Sequence, residues 1–513
     1  MSVALFTPGD VRAMDQRAVA RGVTATMLME RAAGHLARGV LDAGGRGYGL
    51  RVAILCGRGN NGGDGLAAGR RLLDQGAAPT VCLVAGDDEL SGDATAQLHR
   101  YRAAGGRLAS SVGDVLAAAE VGVDCMLGTG TAGEPREPYR SAVQELNRTA
   151  RFAALAVVAC DLPTGVDADT GDVPGEAVRA DLTVTLGAHK RGLHLWPARG
   201  HCGRLVLGDL GIVDPDDEPA ATVLEPADLP RLLPALDPNA HKRSRGVVVV
   251  LAGSPGMTGA ATLVARGAMA AGAGLVTVAS SVASVVGPTV PEALTVPLPD
   301  GDPDAAFERL AGTLEGADAL VVGPGLGRAG PTVALIRRIV AEAAVPLVLD
   351  ADGLNAFDGD GDALADHASP LLVLTPHAGE FARLVRTGQA TGSGTSDDGA
   401  WVRRATLVPE KAAAWEAVVV AKGPGTVTGG PDGRVVVNPT GGVMLATGGT
   451  GDVLAGMIAA LVAQCPDPGA VAAGVYLHGL AGEIAAGGAA RSVTAMDVVG
   501  AVPAALRAVR AAR

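Results

Sequence analysis

One aspartate stands where a glycine-rich loop runs into a helix, and this combination of residues suggests phosphoryl chemistry. Residues 448–452 read GGTGD, and from Val453 the apolar residues recur at helical spacing. Free backbone N–H groups and the positive end of a helix dipole make such a junction a site for anions. Asp452 therefore has two interpretations: it is the N-cap of the helix, or it is a general base that takes a proton from a hydroxyl group while the loop holds a phosphoryl group.

A second set of polar residues follows predicted strands in the first half of the chain. The three loops are NNGGDG (60–65), GTGTAGE (128–134) and DLPTGVDADTG (161–171). Because ligands bind at the carboxyl ends of parallel strands, we expect these loops to meet. They bring together the oxygen donors Asn61, Asp124, Asp161 and Thr164 without a cluster of His or Cys, which favours a hard cation over zinc. The alternative for each residue alone is a turn-forming role.

Strand-like apolar runs alternate with helical patterns, which predicts α/β folding with parallel sheets. In the first half we expect two helices within residues 8–40, then a strand at 51–56, a glycine-rich turn, and a helix from Leu66. GRGNNG (57–62) also fits the GxGxxG pattern of dinucleotide-binding folds, a weak signal by itself. In the second half, five strands each end in a polar loop: 247–251, 319–322, 346–349, 371–374 and 418–421.

The boundary between the halves is predicted from composition. Residues 213–240 contain six prolines and repeated aspartates, which cannot continue a sheet or a long helix. We predict a first domain at 1–215, a linker at 216–226 and a second domain at 227–513, with a short helical piece near 227–233. The Gly-, Ser- and Thr-rich segment 386–399 is predicted to be a surface loop without chemistry.

Composition limits the partners of the chain. Its 513 residues are 48% hydrophobic and 19% charged, as expected for well-buried domains. The net charge of −12 and a pI near 5.3 argue against nucleic acid or an anionic membrane as a partner. The first 40 residues have no signal-peptide pattern, and the six cysteines show no CxxC spacing. We expect a cytoplasmic protein with reduced, buried thiols.

Lysine usage marks three further positions. The chain has only four lysines, and Lys190, Lys242 and Lys422 lie in motif-like segments. Because arginine supplies nearly all other positive charge, we predict that a compact ammonium group is needed at these three positions.

The loops of the first half resemble a known family. NNGGDG, VDCMLGTG (123–130) and DLPTGVDADTG, followed by LGAHKRGLHLWPARGHCGRLVLGDLGI, look like the NAD(P)H-hydrate epimerase family (the YjeF N-terminal domain), which has a Rossmann-like three-layer fold. The resemblance implies nucleotide contacts at Asn60, Asn61, Gly62, Gly63, Asp64, Gly128, Thr129, Gly130, Thr131, Ala132, Gly133, Glu134 and Asp161. It also implies a potassium ion held by Asn61, Asp124 and Thr164, and a catalytic role for Asp161.

The second half resembles another family. HKRSRG (241–246), GPGLG (323–327), LDADGLNAF (349–357), LTPHAGEF (374–381), AKGPGT (421–426) and NPTGGVMLATGGTGD (438–452) are similar to the ADP-dependent NAD(P)H-hydrate dehydratases of the ribokinase-like fold. The resemblance implies contacts to ADP, supplied with Mg²⁺, at Lys422, Gly423, Pro424, Gly425, Thr426 and Gly451. It implies contacts to the hydrated substrate at Gly325, His377 and Asp452, with Asp452 as the base. His377 alone fits a capping histidine at a strand end equally well.

Together the two resemblances imply repair of hydrated NADH and NADPH. The first half would interconvert the R and S hydrates, and the second would phosphorylate the S hydrate with ADP and expel phosphate, giving NAD(P)H and AMP. The expected partners are these small molecules (NADHX, NADPHX and ADP) and other copies of the chain in a homo-oligomer.

Two alternatives stay open at this point. The second half could be a ribokinase-like kinase of a thiazole or pyridoxal alcohol, which would leave a stable phosphate ester. The first half could be a binding module without catalysis.

Overall fold

The computed structural model describes residues 2–86, 90–235, 237–386, 403–489 and 493–511. The chain divides into two compact units. We call Ala4–Ala221 the N-terminal unit and Thr222–Arg513, with which Met1–Val3 is grouped, the C-terminal unit. The segment 386–399, predicted as a surface loop, lies outside the described residues except for Arg386.

The N-terminal unit alternates strands and helices. Its strands are β1 (Val3–Phe6), β2 (Arg51–Cys56), β3 (Ala78–Leu83), β4 (Arg107–Ala109), β5 (Val121–Cys125), β6 (Ala156–Cys160), β7 (Leu182–Leu186), β8 (His189–Lys190) and β9 (Arg204–Gly208). Its helices are α1 (Pro8–Ala20), α2 (Ala25–Gly44), α3 (Asn60–Asp74), α4 (Gly92–Ala103), α5 (Val112–Ala117) and α6 (Tyr139–Ala153).

The main sheet of this unit is parallel, in the order β4-β3-β2-β5-β6-β7-β9. Its central strands are buried along nearly their whole length, as expected when both faces of a parallel sheet are covered. One core joins the sheet to α1–α4, and a second core joins its other face to α5 and α6. The unit is therefore a three-layer α/β structure, and the predicted Rossmann-like architecture is confirmed.

The C-terminal unit repeats this alternation on a larger scale. Its strands are β10 (Ala221–Val223), β11 (Val247–Leu251), β12 (Leu275–Ser280), β13 (Leu294–Pro297), β14 (Ala319–Val322), β15 (Leu347–Leu349), β16 (Leu372–Leu374), β17 (Ala417–Ala421), β18 (Val427–Gly429) and β19 (Val435–Val437). Its helices are α7 (Leu229–Leu232), α8 (Thr258–Ala271), α9 (Ala283–Val286), α10 (Pro303–Leu314), α11 (Gly330–Glu342), α12 (Asp352–Asn355), α13 (Ala378–Leu384), α14 (Arg404–Ala414), α15 (Thr450–Gln464), α16 (Pro468–Ala486) and α17 (Ala495–Ala511).

The sheet of the C-terminal unit runs β13-β12-β11-β14-β15-β16-β17-β18-β19-β10. It is parallel from β13 to β17, and β18 pairs antiparallel with both of its neighbours. Helices α8, α15, α16 and α17 pack on it through a large core of Val, Ala, Leu and Ile side chains. The α/β prediction for the second half is confirmed.

The predicted linker contains a short strand, and its boundaries stay a prediction. Within 216–226, residues 221–223 form β10, whose Thr222 and Val223 pair with Val436 and Val437 of β19. The prolines of this segment flank the short strand and do not interrupt it, which composition alone could not indicate. The helical piece expected near 227–233 is present as α7.

Both glycine-rich segments begin their helices earlier than predicted. NNGGDG is the start of α3, and GGTGD overlaps the start of α15. In α3 the glycines allow close packing, since a Cβ atom on Gly62 would lie 1.9 Å from the carbonyl oxygen of Gly57. These helix starts are therefore set by tertiary packing, which overrides the low helix propensity of glycine.

One helix among the described residues, Pro468–Ala486, is long and apolar enough to span a membrane by length and composition. In its most apolar window 67% of the residues are buried inside the protein, as in the core helix of a water-soluble fold.

Candidate active sites

The candidate cation ligands of the N-terminal unit meet at the carboxyl ends of β5 and β6. Asp124 is fully buried and accepts hydrogen bonds from the backbone N–H of Thr164 at 2.7 Å and its hydroxyl at 2.8 Å. The backbone of Leu127 joins the group, because its N–H donates to the Thr164 hydroxyl and its carbonyl accepts from the Asn61 amide. Burial raises the pKa of Asp124 to about 6.

An unpaired oxygen makes this group suitable for a cation. The side-chain oxygen of Asn61 is buried and has no hydrogen-bond partner among the described residues. A buried acceptor of this kind is costly unless a ligand satisfies it. The described residues contain no group of three or more His, Cys, Asp or Glu that could hold a metal, so a cation here would rely on the one carboxylate of Asp124 together with amide, hydroxyl and backbone oxygens. That donor set fits a hard cation.

Asp161 lies at the end of β6 in an unusual backbone conformation, with φ of 67°. One carboxylate oxygen accepts from the backbone N–H of Leu186 at 3.0 Å and forms an ion pair with Lys190. Lys190 is buried, and its ammonium group also donates to the Thr185 hydroxyl and the Leu186 carbonyl. The other oxygen of Asp161 has no hydrogen bond within the described part of the chain, so it is available to a substrate.

Two more carboxyl groups belong to this site. Burial raises the pKa of Asp64, at the start of α3, well above its usual range, and the nearby Asp161 and Asp15 raise it further. Burial likewise raises the pKa of Asp15, on α1, although Lys190 acts against this rise. The site therefore contains three carboxyl groups and a single buried ammonium group.

The loop 128–134 is mostly exposed and partly closed on itself. Thr131 donates through its backbone and its hydroxyl to the carbonyl of Gly128, and Glu134 pairs with Arg140 at 3.1 Å. Gly128 lies against Asn61, since its Cβ position would be 3.5 Å from that side chain. The start of the loop thus reaches the NNGGDG segment, whereas Thr129–Glu134 lie farther out on the surface.

In the C-terminal unit, the half-buried Lys422 and the buried Asp350 form an ion pair of 2.6 Å. Asp350 follows β15 and Lys422 follows β17, so two neighbouring loops supply the pair. Burial by itself would lower the pKa of Lys422, but Asp350, Glu380 and Asp452 together raise it. Gly451 lies beside the pair, since its Cβ position would be 3.3 Å from the lysine nitrogen.

Asp452 is not the N-cap of its helix. That position belongs to Gly449, which has φ of 89° and makes no side-chain cap, so Asp452 is the third residue of α15. Burial and the neighbouring Asp350 raise its pKa to about 7, while Lys422 acts in the opposite direction. The capping interpretation is therefore wrong, and the carboxyl group has an affinity for protons suited to a general base near neutral pH.

His377, in contrast, is a capping residue. Its Nδ1 accepts from the backbone N–H groups of Gly379 and Glu380 at the start of α13, and Glu380 reciprocates by accepting from the backbone N–H of His377. The side chain is 57% exposed, and its Nε2 lies 3.4 Å from a carboxylate oxygen of Glu380. These capping hydrogen bonds explain the histidine at this position without any contact to a substrate. A substrate contact at His377 therefore stays a prediction.

The remaining predicted residues lie on two tight loops. Lys422–Thr426 form the turn between β17 and β18, closed by hydrogen bonds between Thr426 and Gly423, with φ of 63° at Gly425. Gly325 has φ of 65°, and its carbonyl accepts from the hydroxyl of Ser254.

Both halves of the chain match models of known protein families. Residues 25–192 match the model of the YjeF-related protein N-terminus, and residues 248–504 match that of NAD(P)H-hydrate dehydratase. A bifunctional NAD(P)H-hydrate repair enzyme of Salinibacter ruber is 39% identical over 97% of this chain and 95% of its own. The chain belongs to the bifunctional NAD(P)H-hydrate repair enzymes.

The chain is also similar to two further proteins. The enzyme of Moorella thermoacetica is 39% identical over 85% of this chain and 83% of its own. A crystal structure of the ADP/ATP-dependent NAD(P)H-hydrate dehydratase of Bacillus subtilis, co-crystallised with ATP and Mg²⁺, is 31% identical, covers 56% of this chain and 97% of that chain, and has a TM-score of 0.47.

Within the two sites of this repair-family chain, sequence reasoning missed Asp15, Asp350 and Glu380 as site residues. Lysine scarcity did point to the buried Lys190 and the half-buried Lys422, which are both paired with aspartates. Lys242 is exposed, and the role predicted for it stays a prediction.

Proposed function

We propose that this chain repairs NADH and NADPH hydrated at the nicotinamide ring, with an epimerase in the N-terminal unit and an ADP-dependent dehydratase in the C-terminal unit. The observation that carries the proposal is Asp452: a carboxyl group with a pKa of about 7, in the first turn of a helix and next to the Lys422–Asp350 pair. This arrangement can accept a proton from a hydroxyl group while the helix N-terminus holds a phosphate.

The dehydratase reaction follows from this geometry. Asp452 takes the proton of the substrate hydroxyl, and the oxygen attacks the β-phosphorus of ADP, so that AMP leaves. The C–O bond then breaks and phosphate departs with its electrons, a far better leaving group than hydroxide. The ring nitrogen supplies its lone pair to form a C=N bond, and loss of a proton from the adjacent carbon restores the dihydropyridine ring.

The nucleotide would lie along the turn Lys422–Thr426 and the start of α15. The free ammonium hydrogens of Lys422 and the backbone N–H groups near Gly451 suit its phosphates. The carboxylates of Asp350 and Glu380, beside Lys422, are oxygen donors of the kind that Mg²⁺ takes, and they would hold the ion that accompanies the phosphates. When bound, Mg²⁺ supplies positive charge to the transferring phosphoryl group.

In the N-terminal unit, Asn61, Asp124 and Thr164 would hold potassium, and Asp161 would act on the hydroxyl-bearing carbon of the substrate. The unpaired Asn61 oxygen supports the ion site, and the available Asp161 oxygen supports the catalytic role. The ion would supply positive charge beside the loops that bind the nucleotide. We further propose a cytoplasmic homo-oligomer that acts on small molecules alone.

The products distinguish this function from that of a kinase. The S hydrate of NADH incubated with the enzyme, ADP and Mg²⁺ is expected to yield NADH, AMP and inorganic phosphate in equal amounts, measured by chromatography and ³¹P NMR. A stable phosphate ester of the substrate, or AMP formation without NADH, would contradict the dehydratase assignment.

A further inference from the structure

One histidine lies in an otherwise apolar helix of the C-terminal unit. The buried residues of α16 are Gly, Ala, Val and Leu apart from Tyr476 and His478. The imidazole of His478 is buried, and its Nε2 lies 2.9 Å from the backbone carbonyl oxygen of Thr450. A polar ring among apolar side chains is costly unless it is hydrogen-bonded. The hydrogen bond to Thr450 therefore offsets the cost of placing a histidine here.

The chemistry of the two groups fixes the direction of this hydrogen bond. A carbonyl oxygen can only accept, so Nε2 of His478 must carry a proton. Burial lowers the pKa of His478 to about 4, and Lys422 lowers it as well, although the bond with Thr450 opposes them. The ring is therefore neutral near pH 7, and its one N–H proton lies on Nε2 and not on Nδ1.

Thr450 is the residue at which the glycine-rich loop becomes a helix, since it is the first residue of α15. Its hydroxyl donates to the carbonyl of Leu445 at 2.8 Å and lies 2.9 Å from the carbonyl of Thr447. Its own carbonyl accepts from His478. Thr450 is thus joined to the preceding loop by its side chain and to α16 by its backbone.

The Thr450 carbonyl belongs to the same peptide unit as the N–H of Gly451. Because a peptide unit is planar, a hydrogen bond that holds the carbonyl also sets the direction of the N–H. Gly451 is the second residue of α15, so its N–H has no acceptor within the helix and points out of the N-terminal end. A Cβ atom on Gly451 would lie 3.3 Å from Nζ of Lys422, which places this peptide beside the Lys422–Asp350 pair.

Helix α16 also holds the earlier part of the loop. The hydroxyl of Thr440 donates to the backbone carbonyl of Tyr476 at 2.8 Å, and the backbone N–H of Gly441 donates to the Glu483 carboxylate at 2.7 Å. Together with the bond from His478, these contacts make α16 the support on which the loop and the start of α15 rest.

We propose that His478 is a positioning residue for phosphoryl transfer: through the Thr450 carbonyl it aims the Gly451 N–H at a phosphate of ADP and holds the next residue, Asp452, in place. This inference rests on the proposed dehydratase function and deepens it. The imidazole acts through the peptide, since its one N–H is already donated to Thr450. Donation to the carbonyl also strengthens the Gly451 N–H as a donor, because linked hydrogen bonds polarise one another.

The test compares His478→Leu, His478→Gln and the control His367→Leu. Leucine is close to histidine in size but has no donor, whereas the amide nitrogen of glutamine reaches about as far as Nε2. In the control, Nε2 of His367 also lies against a backbone carbonyl, that of Glu416 at 3.3 Å. His367 and Glu416 precede β16 and β17, whereas the site follows the carboxyl ends of its strands. The measurements are kcat and KM for the S hydrate of NADH, the Kd of ADP with Mg²⁺ by calorimetry, and the melting temperature.

For His478→Leu we expect kcat to fall by about ten- to a hundredfold, because the Gly451 N–H and Asp452 lose their fixed orientation toward the transferring phosphoryl group. ADP should bind about three- to tenfold more weakly, as expected when one hydrogen bond is weakened. KM for the S hydrate should change by less than about threefold, since His478 does not contact it. His478→Gln should recover most of kcat and of the ADP affinity, and His367→Leu should match the wild type in both.

Two results would overturn the inference. One is wild-type kcat and ADP affinity in His478→Leu, and the other is His478→Gln no better than His478→Leu, which would indicate packing alone. If these variants do not fold, ¹⁵N NMR of the wild-type chain labelled in its histidines decides, because a proton on Nδ1 of His478 in place of Nε2 would exclude the bond to Thr450. ADP binding by the wild type without formation of NADH from the S hydrate is a different result, and it would contradict the dehydratase function itself.

Discussion

At the scale of single residues, each half of the molecule contains a lysine paired with an aspartate at the ends of its strands. Lys190 and Asp161 lie 29 positions apart, and Lys422 and Asp350 lie 72 apart. Residues so far apart in the sequence share no local pattern. Motif spacing could therefore indicate Asp161 and Lys422 as site residues, but not that Asp161 pairs with Lys190 or Lys422 with Asp350. For Asp452, residue type and position predicted either an N-cap or a general base. In the structure Gly449, in the left-handed conformation, is the N-cap, so Asp452 does not cap the helix.

Replacement of Asp452 by asparagine tests its role as a base. Since Asp452 is not the N-cap of the helix, the Asp452→Asn variant should fold normally. It should bind ADP as well as the wild type or slightly better, because a negative charge near the phosphates is lost. Dehydratase turnover should fall by roughly a hundred- to ten-thousand-fold. Melting temperature, ADP affinity and rate are measured on one preparation, and near-normal turnover would contradict the assignment.

The pH dependence of the dehydratase follows from the same residue. A base must be unprotonated, and the pKa of Asp452 is raised to about 7. The value of kcat/KM should therefore decrease as pH falls below about 7. Asp350 contributes to this raised pKa, so Asp350→Asn should move the acidic limb to lower pH, whereas Asn at the exposed Asp366 should leave it in place. If the acidic limb of the kcat/KM profile stays in place or moves to higher pH in Asp350→Asn, Asp350 does not raise the pKa of Asp452.

The cation site can be tested through Asp124. Asp124→Ala should weaken the potassium dependence of R-to-S exchange and slow that exchange, while the dehydratase of the same chain keeps its rate. Asp124→Asn, which retains a hydrogen-bond acceptor for Thr164, separates loss of charge from loss of the hydrogen bonds. Exchange at the wild-type rate in potassium-free buffer would contradict a metal site here.

At the scale of elements, strands could be predicted more accurately than helix starts. The expected strand at 51–56 matches β2 and that at 247–251 matches β11, because a parallel strand buried on both faces is a continuous apolar run. The starts of α3 and α15 could not be predicted, because glycine has a low helix propensity and the residues that pack closely against these glycines are distant in sequence or in the preceding loop. The strand β10 was missed because three residues carry no periodic signal and depend on pairing with β19.

The crossing of α8 and α15 offers a matched pair of glycine substitutions. A Cβ atom on Gly456 would lie 2.0 Å from the Val264 carbonyl oxygen, whereas one on Gly500 in α17 would meet nothing within 4 Å. Gly456→Ala should destabilise the C-terminal unit by about 1–3 kcal/mol through overpacking. Gly500→Ala should be neutral or stabilising by up to about 1 kcal/mol, since alanine favours helices. Urea unfolding of both variants tests this, and equal stabilities would contradict the close crossing.

At the scale of the whole molecule, the division into two units supports the hypothesis that the two activities are separable. Fragments 1–215 and 216–513 should each be soluble and retain their own reaction. A fragment starting at residue 225 lacks β10 and should be less stable than one starting at 216, because the edge of β19 loses its partner. Failure of both fragments to fold, with a stable full chain, would contradict separability.

The most direct test of the proposed repair function is recovery of the dihydropyridine absorbance band from an equal mixture of R and S hydrates of NADH, with ADP and Mg²⁺ present. The wild-type chain should restore the absorbance of both epimers. Asp161→Asn should restore the S half at the wild-type rate and the R half only as fast as it converts without catalysis, and Asp452→Asn should restore almost none. Full recovery of both epimers by Asp161→Asn at the wild-type rate, or no recovery by the wild type with any adenine nucleotide, would contradict the account.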